Sequence, residues 1–223
     1  MKALKKYLEK REAAITALLR KDIRSYDAPT VHTLRVEIKK VNAFLHLIFY
    51  AVGDFNRKKI FKPFKAIFRQ AGKLREVQVE EAMLKKYAFN SLLTEYRRDL
   101  KKLGLQEQKD FYSILNRKLV KRLKKNFHKI YPIVSEADKK KVTQYLKKKQ
   151  KKIEKLATKN TLQTAELHKL RKWLKELEYN RNSVGIKEPK SRSVKANTLP
   201  ILLGKWHDCQ VLIRHMEKVT KDR

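Results

Sequence analysis

The sequence is poor in the residues that break helices, in acids and in cysteine. Five glycines and five prolines in 223 residues leave little for the frequent turns that sheets require, so long helices are expected. The single cysteine, Cys209, excludes an internal disulfide framework and cannot build a Cys-rich zinc site; a core thiol is its simplest role. Acids number 23 against 57 Lys and Arg, a formal charge of +34. No paired carboxylates suited to holding Mg²⁺ stand out, so neither a metal, a cofactor nor a catalytic residue is predicted. Long apolar runs are missing too. The longest stretch, "VNAFLHLIFYAVG", is too short to cross a bilayer and contains Asn42 and His46. The N-terminal "MKALKKYLEKREAAITALLRK" has no uninterrupted apolar block of the signal-peptide kind. No membrane insertion is expected, and the predicted location is the cytoplasm.

What is present is a folded, basic chain. Hydrophobic residues make up 42%, which a disordered basic tail would not have. A charge of this size exceeds what solubility asks and destabilises the compact state unless a polyanion or counterions screen it. Nucleic acid, an anionic membrane surface and a phosphate polymer are the partner classes that follow.

Apolar residues recur at three- and four-residue spacing almost throughout. The pattern predicts helices at about 2–24, 29–51, 56–70 running on to 89, and 91–103. A second set falls at about 106–130, 136–157, 161–182, and 189–203 continuing to 219. Breaks are predicted at "YDAPT", at "VGDFN" with Gly53, at "KLGLQ" with Gly104, and at "YPIVSEAD" with Pro132. Asp27 or Thr30, Ser135 and Thr161 are candidate N-caps, and Glu188-Pro189 opens the last helix.

The most informative feature is an internal repeat. "HTLRVEIK" from His32 matches "HKLRKWLK" from His168. Each is followed, at nearly the same separation, by a second motif: "GKLREVQV" from Gly72 and "GKWHDCQV" from Gly204. The order and spacing point to a duplicated helical bundle joined near Gly104.

On a helix, positions i, i+3 and i+7 lie within about 60° of one another. His32, Arg35 and Lys39 therefore share one face, and so do His168, Arg171 and Lys175. Three donors with no acid among them suit a phosphate chain: Arg as a planar fork, Lys as a point charge, His as a donor that strengthens on protonation. A single basic stripe would ordinarily be a solvated face, but a solvated face need not repeat its His-Arg-Lys order. The Gly-Lys motifs add Lys73 and Lys205. Glu76 and Asp208 are expected to orient a neighbouring Arg, Lys or His. The lysine runs "DKKKV" and "LKKKQKKIEK" carry at most diffuse steering. The scattered Tyr and Phe, as in "FKPFKAIF", suit core packing better than base stacking.

These motifs resemble the CHAD family, the conserved histidine α-helical domain. The resemblance rests on "VHTLRVEIKK", "AGKLREVQV", "LHKLRKWLKELEY" and "LLGKWHDCQV" and spans nearly the whole chain. It implies an all-α fold of two four-helix bundles, residues 1–104 and 105–223 of one domain, related by an internal pseudo-twofold around a basic central channel. It also implies that inorganic polyphosphate is bound there. His32, Arg35, Lys39 and Lys40 match the family's His-x-x-Arg-x-x-x-basic-basic motif, and His168, Arg171 and Lys175 its second copy. Arg75 matches the Arg of a Gly-x-x-Arg-Asp stretch in which Glu76 here replaces the Asp; His207 and Asp208 stand in the second version. Asn42 and Glu178 occupy places where the family often has a further basic residue.

Non-catalytic polyphosphate binding is thus the leading expectation, with polyphosphate granules as a place where such a protein would be found. The alternatives are an RNA- or DNA-binding helical protein, without any recognition-helix, zinc-finger or RNA-platform signature, and a histidine phosphotransfer protein. For the latter, Val36 and Lys172 stand where a small residue is needed.

Overall fold

The computed structural model describes residues 2–22, 26–86, 93–186 and 190–221, the side chains of 190–197 and 218–221 excepted. Every described element is a helix: α1 (Lys2–Leu19), α2 (Ala28–Val52), α3 (Arg57–Lys86), α4 (Thr94–Ile114), α5 (Arg117–Ser135), α6 (Lys139–Ala157), α7 (Thr164–Ser183) and α8 (Lys190–Lys221). The all-α expectation holds. α2 starts where the sequence places it: the Asp27 carboxylate accepts from the Thr30 backbone N–H at 2.8 Å, and Pro29 lies in the first turn. Gly53 stops it with φ 99°, its N–H donating to the Phe49 carbonyl. The Glu188-Pro189 start predicted for α8 lies outside the described residues.

Three boundaries differ. No break occurs at Gly104, which sits inside α4; a Cβ there would meet Val77 Cγ1 at 3.2 Å. This glycine lets α4 lie close against α3 rather than ending a helix, and the next helix begins only at Arg117. α5 runs through Pro132 to Ser135, whose hydroxyl donates back to the Tyr131 carbonyl, so Ser135 closes α5 and Asp138 caps α6 instead. For α7 the start is fixed two residues beyond Thr161: the Glu166 carboxylate accepts from the Gln163 backbone N–H at 3.2 Å.

The largest core draws on α1, α2, α3 and α5, with Phe111 of α4 and Val142 of α6 at its margin. A second, smaller core joins α6, α7 and α8, and a third joins α3, α4 and α8. The repeat extends beyond the motifs that reveal it. Leu4, Leu8 and Ile15 are the buried apolar residues of α1; Val142, Leu146 and Ile153 of α6 stand at the same mutual spacing. Tyr7 and Arg11 pack ring to cation in α1, as Tyr145 and Lys149 do in α6.

The scarce acids tie helices together. Glu37 of α2 holds Arg11 of α1 at 2.7 Å and Lys40 at 2.7 Å, and both Glu37 and Arg11 are buried. Glu176 of α7 accepts from Tyr145 at 2.5 Å and Lys149 at 2.8 Å of α6, and meets His46 of α2 at 3.3 Å. Glu80 of α3, also buried, binds Tyr96 of α4 and His215 of α8.

Burial pushes the Glu176 carboxyl up, but hydrogen bonds from His46, Lys149 and Tyr145 outweigh it and hold the pKa at about 2. Removing one partner of the buried Arg11–Glu37 pair strands a charge at a cost of about 3–5 kcal/mol. Glu37→Leu should therefore lower stability to urea by that order, and adding Arg11→Met should recover most of the loss.

Candidate functional site

α2 and α7 pack against each other, and α3 and α8 flank them. Arg35 reaches from α2 to α3. Its Nη1 donates to the Phe68 carbonyl at 2.8 Å, and the guanidinium lies 4.4 Å from the Phe68 ring centroid. Gly72 makes this possible: a Cβ there would fall 2.4 Å from Arg35 Nη1. On the other side Arg171 of α7 lies over Gly204 of α8 in the same manner but less tightly, with 4.0 Å from the position of a Cβ to Nη2. Gly72 thus makes room for Arg35, whereas at Gly204 a side chain would meet Arg171 only at ordinary contact distance.

Lys39 of α2 feels the charges of both arginines. Its pKa is pulled down to about 8, first by burial and then by the charges of Arg35, Arg171 and Lys175, with Asp208 of α8 acting the other way. Asp208 also acts on Arg75 of α3, on His32 and on His207. It is the acid of this cluster, and it serves α2 and α3 as well as its own neighbour. Glu76 plays the smaller part of offsetting Arg35, whose pKa burial lowers.

All three histidines have pKa values below the ordinary 6.5, with burial the largest cause in each. Arg75 and Lys39 add to it at His32, Lys172 and Arg171 at His168, and Arg171 and His168 at His207. At neutral pH they are uncharged donors. The His168 ring lies 4.8 Å from both Trp206, against which it is tilted, and His207, which it meets edge-on.

Of the residues singled out in the sequence, His32, Arg35, Lys39 and Arg75 lie in one electrostatic neighbourhood with Arg171, Lys175 and His207. His168 joins it through His207. Lys40 belongs to the Glu37 tie instead, and Lys73 is drawn to Glu107 of α4 at 3.7 Å. Lys205 is exposed on α8. Lys175 reaches Lys39 electrostatically but is paired with Glu178 at 2.9 Å, so the acid on the α7 stripe holds a lysine. At the matching place on α2, Asn42 accepts from Arg57 Nη1 at 3.5 Å, which restores a basic group there from α3.

The CHAD domain family model matches residues 2–217. The chain belongs to the CHAD domain family. The fold agrees: a crystal structure of the CHAD domain from the plant Ricinus communis superposes with a TM-score of 0.81 at 16% identity, covering 100% of this chain and 79% of that one. No curated protein matches the sequence. Among the described residues of this CHAD chain no helix is long and apolar enough to cross a membrane.

Reading single helix faces missed Phe68, Arg57 and Trp206. Phe68 stands four residues before Gly72, a spacing that puts it on the glycine's side of the helix, whereas Trp206, two residues after Gly204, carries no such signal. Arg57 has no such signal, because it reaches the site across a helix junction.

The two glycines should respond differently to substitution. Alanine is favoured over glycine inside a helix by about 1 kcal/mol. Gly204→Ala should raise stability by up to that amount. Gly72→Ala must displace the Arg35 guanidinium from the Phe68 carbonyl, a charged hydrogen bond of about 1.5–3 kcal/mol, and should be neutral or destabilising in the same denaturation experiment.

Proposed function

We propose that this CHAD domain binds inorganic polyphosphate, without turning it over, through the cluster formed by His32, Arg35, Lys39, Arg75 and Arg171. The observation that carries this reading is Lys39, a lysine kept among Arg35, Arg171 and Lys175 at a pKa of about 8. Such crowding is unfavourable in the isolated protein and becomes favourable once a chain of negative charges lies between the cations. Family membership and the +34 charge support the same ligand class. Each internal phosphate carries about one negative charge, so binding should release counterions and weaken steeply with salt, as it does for nucleic acids.

Replacing His32, Arg35 and Lys39 together with glutamine should abolish binding of long-chain polyphosphate at 0.15 M salt while circular dichroism shows an intact helical fold. Unchanged binding would sink the proposal. Competition decides between polymers: RNA that displaced polyphosphate at equal phosphate concentration would favour a nucleic-acid function. Release or transfer of labelled phosphate would overturn the non-catalytic assignment.

The pH dependence follows from Lys39. In the free protein it is charged below about pH 8 and loses its proton above it, so affinity should fall as pH rises from 7 to 10. Binding above pH 8 should take up protons, visible as a buffer-dependent heat in calorimetry, and Lys39→Arg should flatten the profile. The histidines contribute in the opposite range: their pKa values lie below 6.5, so affinity should strengthen further only under acidic conditions.

A further inference from the structure

The basic face of α2 does not end at Lys39. At about 100° per residue, His32, Arg35, Lys39, His46 and Tyr50 fall within about 60° of one another over a rise of roughly 27 Å. Past Lys39 the face is occupied by Arg57 on Asn42, then by His46 beside Lys149, and finally by Tyr50. The acid on this path, Glu176, is held by His46, Lys149 and Tyr145 together.

Tyr50 opens into a surface groove lined by five lysines of α6: Lys147, Lys148, Lys151, Lys152 and Lys155. All five are exposed. Lys148 lies 5.7 Å from the Tyr50 ring centroid, and Tyr50 packs on Tyr145 at 5.4 Å, so the end of α2 is seated on α6. The lysines recur at i, i+4 and i+8, which spaces their Cα atoms by about 6 Å along the helix. The acid within α6, Glu154, is engaged by Gln150. Lys149 alone of this run turns inward, to Glu176.

We infer that the α6 groove is an outer track for polyphosphate, taking the part of a long chain that continues past Lys39 along α2 and over Tyr50. The inference rests on the polyphosphate reading of the α2–α7 cluster and adds a length dependence to it. A chain of a few phosphates fills the inner cluster alone. A long chain covers both, and the α6 lysines add phosphate contacts only to the long one. A lysine run that sequence reading assigns to diffuse steering becomes a site with a defined start, at Tyr50, and a defined direction, along α6.

The test compares tripolyphosphate with long-chain polyphosphate on the full chain, across a salt series, for three proteins. These are the wild type, Lys147→Gln/Lys151→Gln/Lys155→Gln on α6, and the charge-matched Lys118→Gln/Lys121→Gln/Lys125→Gln on α5. Each lost phosphate contact should lower the slope of log affinity against log salt by about 0.7, the single-stranded nucleic-acid value. For long chains the α6 variant should lose about 2 from that slope and on the order of tenfold in affinity. Its tripolyphosphate binding should stay at the wild-type level, and the α5 variant should match the wild type with both ligands. Equal losses in the α5 and α6 variants, equal losses with both ligands, or no loss at all would each overturn the track while leaving the inner site standing. A wild-type protein that binds neither ligand would overturn the polyphosphate reading itself, and the track with it.

Discussion

Repulsion among the cations at the seam of α2 and α7 is the constraint that the rest of the structure answers. Arg35, Arg171 and Lys175 all act on Lys39, and Asp208 is the acid that opposes them. A chain with 34 more basic than acidic groups cannot neutralise such a cluster everywhere. It places its acids where they hold helices instead. Glu37, Glu80 and Glu176 each sit on a helix of the site and reach to α1, to α4 and α8, and to α6 and α2 respectively. The scaffold is thus stiffened by acids that are engaged by other partners than Arg35, Lys39 and Arg171.

Two of these ties have the same design. In α1 and in α6 a Tyr-x-x-x-(Arg or Lys) pair faces a glutamate on the following histidine helix, Glu37 in one case and Glu176 in the other. Each glutamate fixes its helix to its neighbour by a charge-assisted bond shielded from water. On α2 the Arg35 guanidinium then reaches α3 where Gly72 leaves space for it; on α7 Arg171 approaches Gly204 of α8 without needing that space.

The sequence disclosed the parts of this that depend on one helix at a time. Helical periodicity, the Asp27 cap, the Gly53 stop and the His-Arg-Lys stripes all depend on local spacing, and the structure keeps them. What depends on two helices was hidden. Gly104 looks like a stop in a list of residues, yet it is a place where Val77 comes close. Lys40 and Lys73 stand in the motifs that suggest phosphate binding, yet they also lie beside Glu37 and Glu107. The influence of Asp208 on Arg75 crosses from α8 to α3, about 130 residues apart, and no periodicity encodes a partner at that range.

The halves have also diverged in a consistent direction. On α2, Asn42 binds Arg57, so the basic line continues; on α7, Glu178 pairs with Lys175, so the line weakens after Arg171. The core follows suit. Phe44 and Leu47 are fully buried in α2, and at the matching places of α7 stand Asn180 and Ser183, equally buried. Both departures fall on α7: charge is lost from its basic stripe, and polar groups replace apolar ones at the buried positions that α2 fills with Phe44 and Leu47.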